Sequence, residues 1–302
     1  MAYHLRPGER VPAGIRRIAR EEIASAARQL SGHGDADRDV AIHEARKSLK
    51  KIRGAMRLMR PELDSVYPAE NAWFRDVGLR LAQFRDAGAM IETFETLRRK
   101  YRAALGRRRL SSIHRGLIAR REQHGKIDEV VLPLAAALRS SAQRIRTWPL
   151  TADGFAALAP GLESTFRKGR KAMNRARRAP TPENYHEWRK RVKDHWYHVR
   201  LFEKYWTGAM ESYEKSLKDL ETWLGEDHNL VVLEQTLLDE PILHTNSADV
   251  ELFFQLIAKD HKDLRGKALS TGKHIYGQKP RQLTRHFQQL WEDTARQTAQ
   301  KK

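Results

Sequence analysis

The chain of 302 residues carries 57 Lys and Arg against 38 Asp and Glu, a formal net charge of +19, with 40% hydrophobic residues and no cysteine. The apolar fraction supplies a core for one large or two smaller helical units, while the cationic excess opposes compaction until an anion relieves it and so directs attention to phosphate-rich partners. The lack of cysteine excludes disulfide frameworks, thiolate metal clusters and a cysteine nucleophile.

The opening residues, Met1-Ala2-Tyr3-His4-Leu5-Arg6-Pro7-Gly8-Glu9-Arg10, lack the apolar run of a secretory signal. No stretch approaches the ~18 apolar residues of a membrane span, so a soluble cytoplasmic protein without membrane partners is expected. Helical periodicity predicts an all-α chain, with helices at 12–31, 38–60, 69–100, 106–123, 129–147, 153–178, 182–206, 209–225, 227–239, 248–272 and 281–299. The helix near 182 has a Thr181 cap, Pro182 in its first turn and Glu183 against its positive end. Residues 241–247 read as a loop, and the tail beyond Arg296 is expected to fray. The runs Arg98-Arg99-Lys100 and Arg107-Arg108-Arg109 wrap around their helices and read as solvated.

Laid on itself at an offset of 143 residues, the chain repeats: His43-Glu44-Ala45-Arg46-Lys47-Ser48-Leu49-Lys50 falls on His186-Glu187-Trp188-Arg189-Lys190-Arg191-Val192-Lys193. Of the 17 aligned positions from 43 to 59, seven are identical, and five of those are His, Lys or Arg. A repeat kept for packing alone should preserve apolar positions first. Ile15, Ala19, Ile23 and Leu30 fall on Leu158, Leu162, Phe166 and Met173, so the preceding helices correspond too. Phe84-Arg85-Asp86-Ala87 pairs with Gly225-Glu226-Asp227-His228 after a two-residue slip. Duplication of this kind predicts two related helical bundles with a site at their interface.

At about 100° per residue, His43, Arg46, Lys50, Arg53 and Arg57 share one sector of their helix, with Lys47 at its edge. Ile42, Ala45, Leu49, Ile52, Met56 and Met59 occupy the neighbouring, core-facing sector. The second copy places His186, Arg189, Lys190, Lys193 and Arg200 on the basic side and Tyr185, Trp188, Val192, Val199 and Phe202 on the apolar side. The first ladder rises ~21 Å, which suits an extended chain of phosphates better than one phosphate ester. Between residues 38 and 60 eight Lys or Arg face two acids, Asp39 and Glu44, so charge repulsion is left for a ligand to relieve.

These residues resemble the signature of the CHAD domain (conserved histidine α-helical domain), His-x-x-Arg-x-x-x-Lys/Arg-Lys/Arg-x-Arg given twice. The first copy is His43, Arg46, Lys50, Lys51 and Arg53; the second is His186, Arg189 and Lys193, with Asp194 and Trp196 where Lys51 and Arg53 stand. Leu224-Gly225-Glu226-Asp227 and, more weakly, Arg85-Asp86 extend the resemblance over nearly the whole chain. The resemblance implies a single domain over 1–302, with half-repeats of about 10–150 and 151–300. It also implies two antiparallel helical bundles related by a pseudo-twofold and a basic channel that binds inorganic polyphosphate, with association with polyphosphate granules as in some relatives. Arg16, Arg20, Arg167, Arg170, Lys171 and Arg175 are candidates to extend that channel.

Other chemistry is weaker. His43 and His186 have no nucleophile or metal set beside them and are expected to bind or position phosphate, neutral until an anion arrives. Glu183 and His186 match half of a di-metal motif whose partners are missing. His195 falls on the apolar face, so an interior histidine is a better reading of His195, His198, Asp227 and His228 than a metal cluster. Neither a phosphate-binding Gly-rich loop nor a dinucleotide fingerprint nor a His-Glu-x-x-His pair is found. Asp86 and Asp227 read as arginine anchors or helix caps. The expectation is therefore binding without catalysis, cofactor or metal. A nucleic-acid backbone is the first alternative, a phosphoanhydride-cleaving enzyme the second and docking on an acidic protein the third. The sequence leaves the oligomeric state open.

Overall fold

The structure, a computed structural model, describes residues 3–32, 38–106, 110–122, 127–206, 208–240 and 247–300, and every regular element among them is helical. The first half holds α1 (Val11–Ser31), α2 (Arg38–Leu58), a one-turn α3 (Arg60–Leu63), α4 (Tyr67–Lys100), a one-turn α5 (Arg102–Leu105), α6 (Ser111–Glu122) and α7 (Ile127–Arg146). The second holds α8 (Gly154–Arg178), α9 (Pro182–Leu201), a 3-10 turn at Glu203–Tyr205, α10 (Gly208–Asp239), α11 (Ser247–Ile275) and α12 (Pro280–Gln300).

Local chemistry accounts for several ends. Asp153 Oδ1 accepts from the backbone N–H of Gly154 at 2.9 Å and from that of Val11 at 2.7 Å, so one carboxylate serves the N-termini of the equivalent helices α8 and α1. Thr181 Oγ1 caps α9 by accepting from the Asn184 N–H at 3.3 Å, with Pro182 at the first helical position. Pro61 stands where α2 gives way to α3, earlier than the expected end at 60. The predicted helices 209–225 and 227–239 are one helix, α10: Gly225 does not break it, because Leu220, Leu224 and Leu230 on either side are all buried. The helix expected to reach 206 ends at Leu201, and α12 continues to Gln300 instead of fraying at Arg296. Of the loop predicted at 241–247, residues 241–246 lie outside the described residues and Ser247 opens α11; the Arg107-Arg108-Arg109 run and the side chain of Arg85 lie outside them too.

Helix partners repeat between the halves. α1 packs on α2 and α7 as α8 packs on α9 and α12; α2 packs on α4 as α9 packs on α10; α4 packs on α6 as α10 packs on α11. Across the halves, α2 meets α9 and α8, and α4 meets α10. Two apolar cores result. The larger joins α1, α2, α7, α8, α9 and α12 with the first parts of α4 and α10 and the end of α11; the smaller joins the far parts of α4 and α10 with α6 and the first part of α11 around Phe94 and Phe253. The long helices α4 and α10 therefore span both cores, and the polar space between them opens onto the basic faces of α2 and α9.

Candidate functional site

Burial fixes the rotation of both motif helices. On α2, Ile42, Ala45, Leu49, Ile52, Met56 and Met59 are all buried in the larger core, as are Tyr185, Trp188, Val192, Val199 and Phe202 around α9. The basic sector of α2 is thereby turned toward three linked cavities.

The first cavity, of about 220 Å³, lies between the halves and is lined by His43, Arg46, Lys50, Asp86, Ala89, Met90, Arg189, Lys193, His228, Asn229 and Val232. Its walls obey the repeat: Arg46 and Arg189, Lys50 and Lys193, Asp86 and Asn229, and Ala89 and Val232 are each 143 positions apart. Asp86 thus sits with Asn229 at the unslipped offset, not with Asp227 as the two-residue slip expected. Asp227 is buried elsewhere, accepting from His261 Nδ1 and Arg265 Nε, both at 2.7 Å. A groove of about 110 Å³ between α2 and α4 shares Arg46 and Lys50 with this cavity and adds Arg53, Arg75 and the open backbone at Gly78. A basin of about 490 Å³ shares Arg53 with the groove and is walled by Arg57, Arg60, Lys168, Lys171, Arg175 and Arg191, with Tyr67, Asn71, Asn184 and Glu187.

The cations in this space differ in how they are compensated. Arg46 Nη1 donates to the Gly78 carbonyl at 2.8 Å, and Arg53 Nε to Asn71 Oδ1 at 3.0 Å, so neither of these hydrogen bonds offsets a charge. Lys193 pairs with Glu221 at 2.7 Å, Glu221 also takes Lys218 at 2.8 Å, and Arg57 pairs with Asp194. Lys50 has no ion pair among the described residues; burial first, then Lys193, Arg46 and Arg189, pushes its ammonium well below the usual lysine range. Arg189 Nε is buried without a hydrogen-bond partner, and burial lowers that guanidinium too.

The second ladder is accordingly closed where the first is open. Glu221 stands at the position equivalent to Gly78, Trp196 at that of Arg53 and Asp194 at that of Lys51. Trp196 Nε1 donates to Glu214 at 2.6 Å, and Arg200, expected on the basic face, lies over the Trp196 ring and 3.8 Å from Glu203.

Several other expected positions also fall outside the three cavities. Lys51 turns to α1 and pairs with Glu22 at 2.8 Å; Lys47 pairs with Glu44 at 2.9 Å and Lys190 with Glu187 at 2.7 Å. Arg16 donates to the Trp148 and Leu150 carbonyls, holding the α7–α8 connection, and Arg170 reaches the Gln278 carbonyl. Arg20 is exposed on α1, and Arg167 is exposed beside Glu163. Of that extended set Lys171 and Arg175 alone line one of these three cavities, while Lys168, Arg60, Arg75 and Arg191 were not anticipated. Lys168 was legible, being three residues before Lys171 and seven before Arg175 on one helical face.

His43 lines the first cavity. His186 instead meets His228 from its rim, Nδ1 to Nδ1 at 3.3 Å. Burial, then Lys190 and Arg189, lowers the His186 imidazole; burial, then Arg189 and His186, brings His228 down to about 4. His195 and His198 are fully buried, on Tyr213 and the Gly54 carbonyl, and desolvation brings each to about 3. His186, His195, His198 and His228 bind fewer protons folded than unfolded, so stability is undiminished above the unfolded value of about 6.5 and falls as pH drops toward the folded values. We expect the midpoint of urea unfolding to fall between pH 7 and 5, with each of the three most depressed imidazoles costing up to about 2 kcal/mol at pH 5. A flat stability profile over that range would contradict the neutral, buried assignment.

The family model for the CHAD domain matches residues 17–238. Among solved structures, the crystal structure of the CHAD domain from the plant Ricinus communis superposes with a TM-score of 0.54 at 17% sequence identity, covering 92% of this chain and 93% of that one. At that identity the likeness is one of fold. No curated protein matches the chain. With the family model covering most of its length and the paired histidine motif set around one inter-repeat cavity, the chain belongs to the CHAD domain family.

Proposed function

We propose that the protein binds inorganic polyphosphate, without catalysis, along the track formed by the inter-repeat cavity and the groove beside α2. The observation that carries this reading is the convergence of Arg46, Lys50, Arg189 and Lys193 from two helices on one cavity, with Lys50 in no ion pair among the described residues. A desolvated cation held among like charges without an ion pair costs stability, and a polyanion removes that cost on binding. Arginines grip phosphoryl oxygens through paired donors and lysines supply adjustable point charges. The closed second ladder confines the open cations to the side of α2. The lining carboxylates, Asp86 in the cavity and Glu187 in the basin, are set apart, and Glu187 is engaged by Lys190 and Arg191, which favours binding over metal-assisted hydrolysis. Recruitment to polyphosphate granules follows as the cellular expectation.

A base-reading role has less support. Of the aromatic side chains on the groove and the adjoining basin, Phe74 is fully buried and the Tyr67 ring carries the Arg60 guanidinium at 5.0 Å, leaving no open platform for stacking there. The test is a competition titration of long polyphosphate against single-stranded RNA and DNA at physiological salt. Polyphosphate should win, with a log–log salt slope of about −6 for roughly eight engaged phosphates. Equal competition by RNA, or a slope near zero, would remove the reading.

A further inference from the structure

The basin is too wide, and too richly provided with its own cations, to be only the outlet of a groove for a linear chain. It holds 490 Å³ against 110 Å³ for the groove it adjoins, and the two share Arg53 alone. Seven cations surround it, from α2 (Arg53, Arg57), α3 (Arg60), α8 (Lys168, Lys171, Arg175) and α9 (Arg191). Two carboxylates answer them: Asp194 takes Arg57 and Arg191, and Glu187 takes Arg191 and Lys190. Partial desolvation, then Arg60, Arg191 and Arg57, lowers the Lys168 ammonium against the opposing pull of Asp194, as crowding of like charges around the basin requires. The Asn71 and Asn184 amides and the Tyr67 hydroxyl add neutral hydrogen-bonding groups, which suit phosphate monoesters that carry a proton.

The repeat supplies an internal control. At the equivalent positions of the other half, Arg53 becomes Trp196, Arg60 becomes Glu203, Asn71 becomes Glu214, Lys168 becomes Ser25, Arg175 becomes Gly32 and Arg191 becomes Ser48. There the space is packed: Met210 is buried, Trp196 donates to Glu214, and Tyr3 of the N-terminal segment lies on Tyr197 with its hydroxyl on the Lys51 carbonyl. Arg57 and Lys171 keep cations there, Arg200 and Arg28, but the other five are lost, so the helical frame does not demand the full cationic set.

We propose that the basin is a second anion site, for compact and multiply phosphorylated small molecules, which presents their phosphates to cations on four helices while the narrow groove admits only an unbranched chain. The assignment stands on the basin's own residues and adjoins, without requiring, the polyphosphate track. The probe is myo-inositol hexakisphosphate, titrated calorimetrically into the full chain at physiological salt, with long polyphosphate titrated in parallel. One probe should bind per chain. Lys171 and Arg175 are exposed, with side chains free of ion pairs among the described residues, so Lys171→Ala with Arg175→Ala should leave helicity intact. Losing two charge-assisted contacts should weaken the probe by about tenfold or more. Lys50→Met should leave the probe's affinity unchanged within about twofold while weakening long polyphosphate. Failure of the folded wild type to bind the probe overturns the assignment, as does equal loss from both variants, which would place both ligands in one site. Multiple weak equivalents insensitive to Lys171→Ala/Arg175→Ala would mark a diffuse cationic surface and overturn it too. The parallel polyphosphate titration reports separately on the first reading, which survives any of these results if the chain still binds.

Discussion

Lys50→Met is expected to weaken long polyphosphate by about 2–4 kcal/mol, roughly 30- to 1,000-fold, while raising the stability of the free protein by about 1–2 kcal/mol. The opposite signs follow from one fact, that Lys50 is a half-buried, largely desolvated ammonium surrounded by Lys193, Arg46 and Arg189 with no ion pair of its own among the described residues. Its folded value lies below the unfolded value of about 10.4, so the unfolded chain binds the extra proton between the two. Stability contributed by this group therefore rises with pH through that window, and below it the penalty is present in full. Methionine, of similar length, removes the charge and keeps the packing. The repeat-equivalent Lys193→Met should behave differently, because Lys193 is paired with Glu221 and its loss leaves that buried carboxylate to Lys218 alone. We expect Lys193→Met to lower both affinity and stability. Urea unfolding and polyphosphate titration of the two variants check the contrast; a destabilised Lys50→Met would mean that the fold supplies a counter-charge after all.

The contrast between these two lysines shows what the sequence carried and what it did not. Periodicity placed the buried stripe of α2 and α9 correctly residue by residue, because a 3.6-residue repeat and a large apolar core leave one rotation for each helix. The offset of 143 brought Arg46, Lys50, Arg189 and Lys193 together before any contact was known, and the structure places all four on one cavity. Compensation was not legible. That Lys51 swings to Glu22, that Lys193 finds Glu221 across 28 residues, or that Arg16 reaches the carbonyls of Trp148 and Leu150 depends on tertiary neighbours that no local pattern encodes. The same holds for the basin, half of whose wall comes from α8 and α9, where a phase error of one residue selects Arg167 in place of Lys168. Gly225 misled for a related reason: glycine reads as a break, yet α10 runs through it between the buried Leu224 and Leu230, and a Cβ there would make only an ordinary 3.7 Å contact with Arg189 Nε.

Gly161→Ala should cost about 3 kcal/mol or more and lower the melting temperature by about 5 °C, against the gain of about 1 kcal/mol that helix propensity assigns to the same change. Gly161 is buried in α8 where that helix crosses the end of α2, and a Cβ there would meet the Leu58 carbonyl oxygen at 1.9 Å, its carbon at 2.6 Å and its Cα at 2.8 Å. These are backbone atoms, which no side-chain rotation can move aside, so the two helices must separate. That seam holds the halves together beside Arg57 and Arg60 on one wall of the basin and Lys168 and Lys171 on the other. Separation should therefore disturb anion binding as well as packing. A polyanion at a hundred times its dissociation constant adds about 2.7 kcal/mol to a competent folded state. Thermal unfolding with and without long polyphosphate, in wild type and Gly161→Ala, separates the two effects: an equal rise in both proteins would mean that the track tolerates an opened seam. A smaller rise in the variant means that the close crossing of α8 over α2 sets the spacing of the cations. An unchanged melting temperature for the ligand-free variant would show that the crossing is looser than 1.9 Å implies, and with it that the basin's walls are not held where the distances place them.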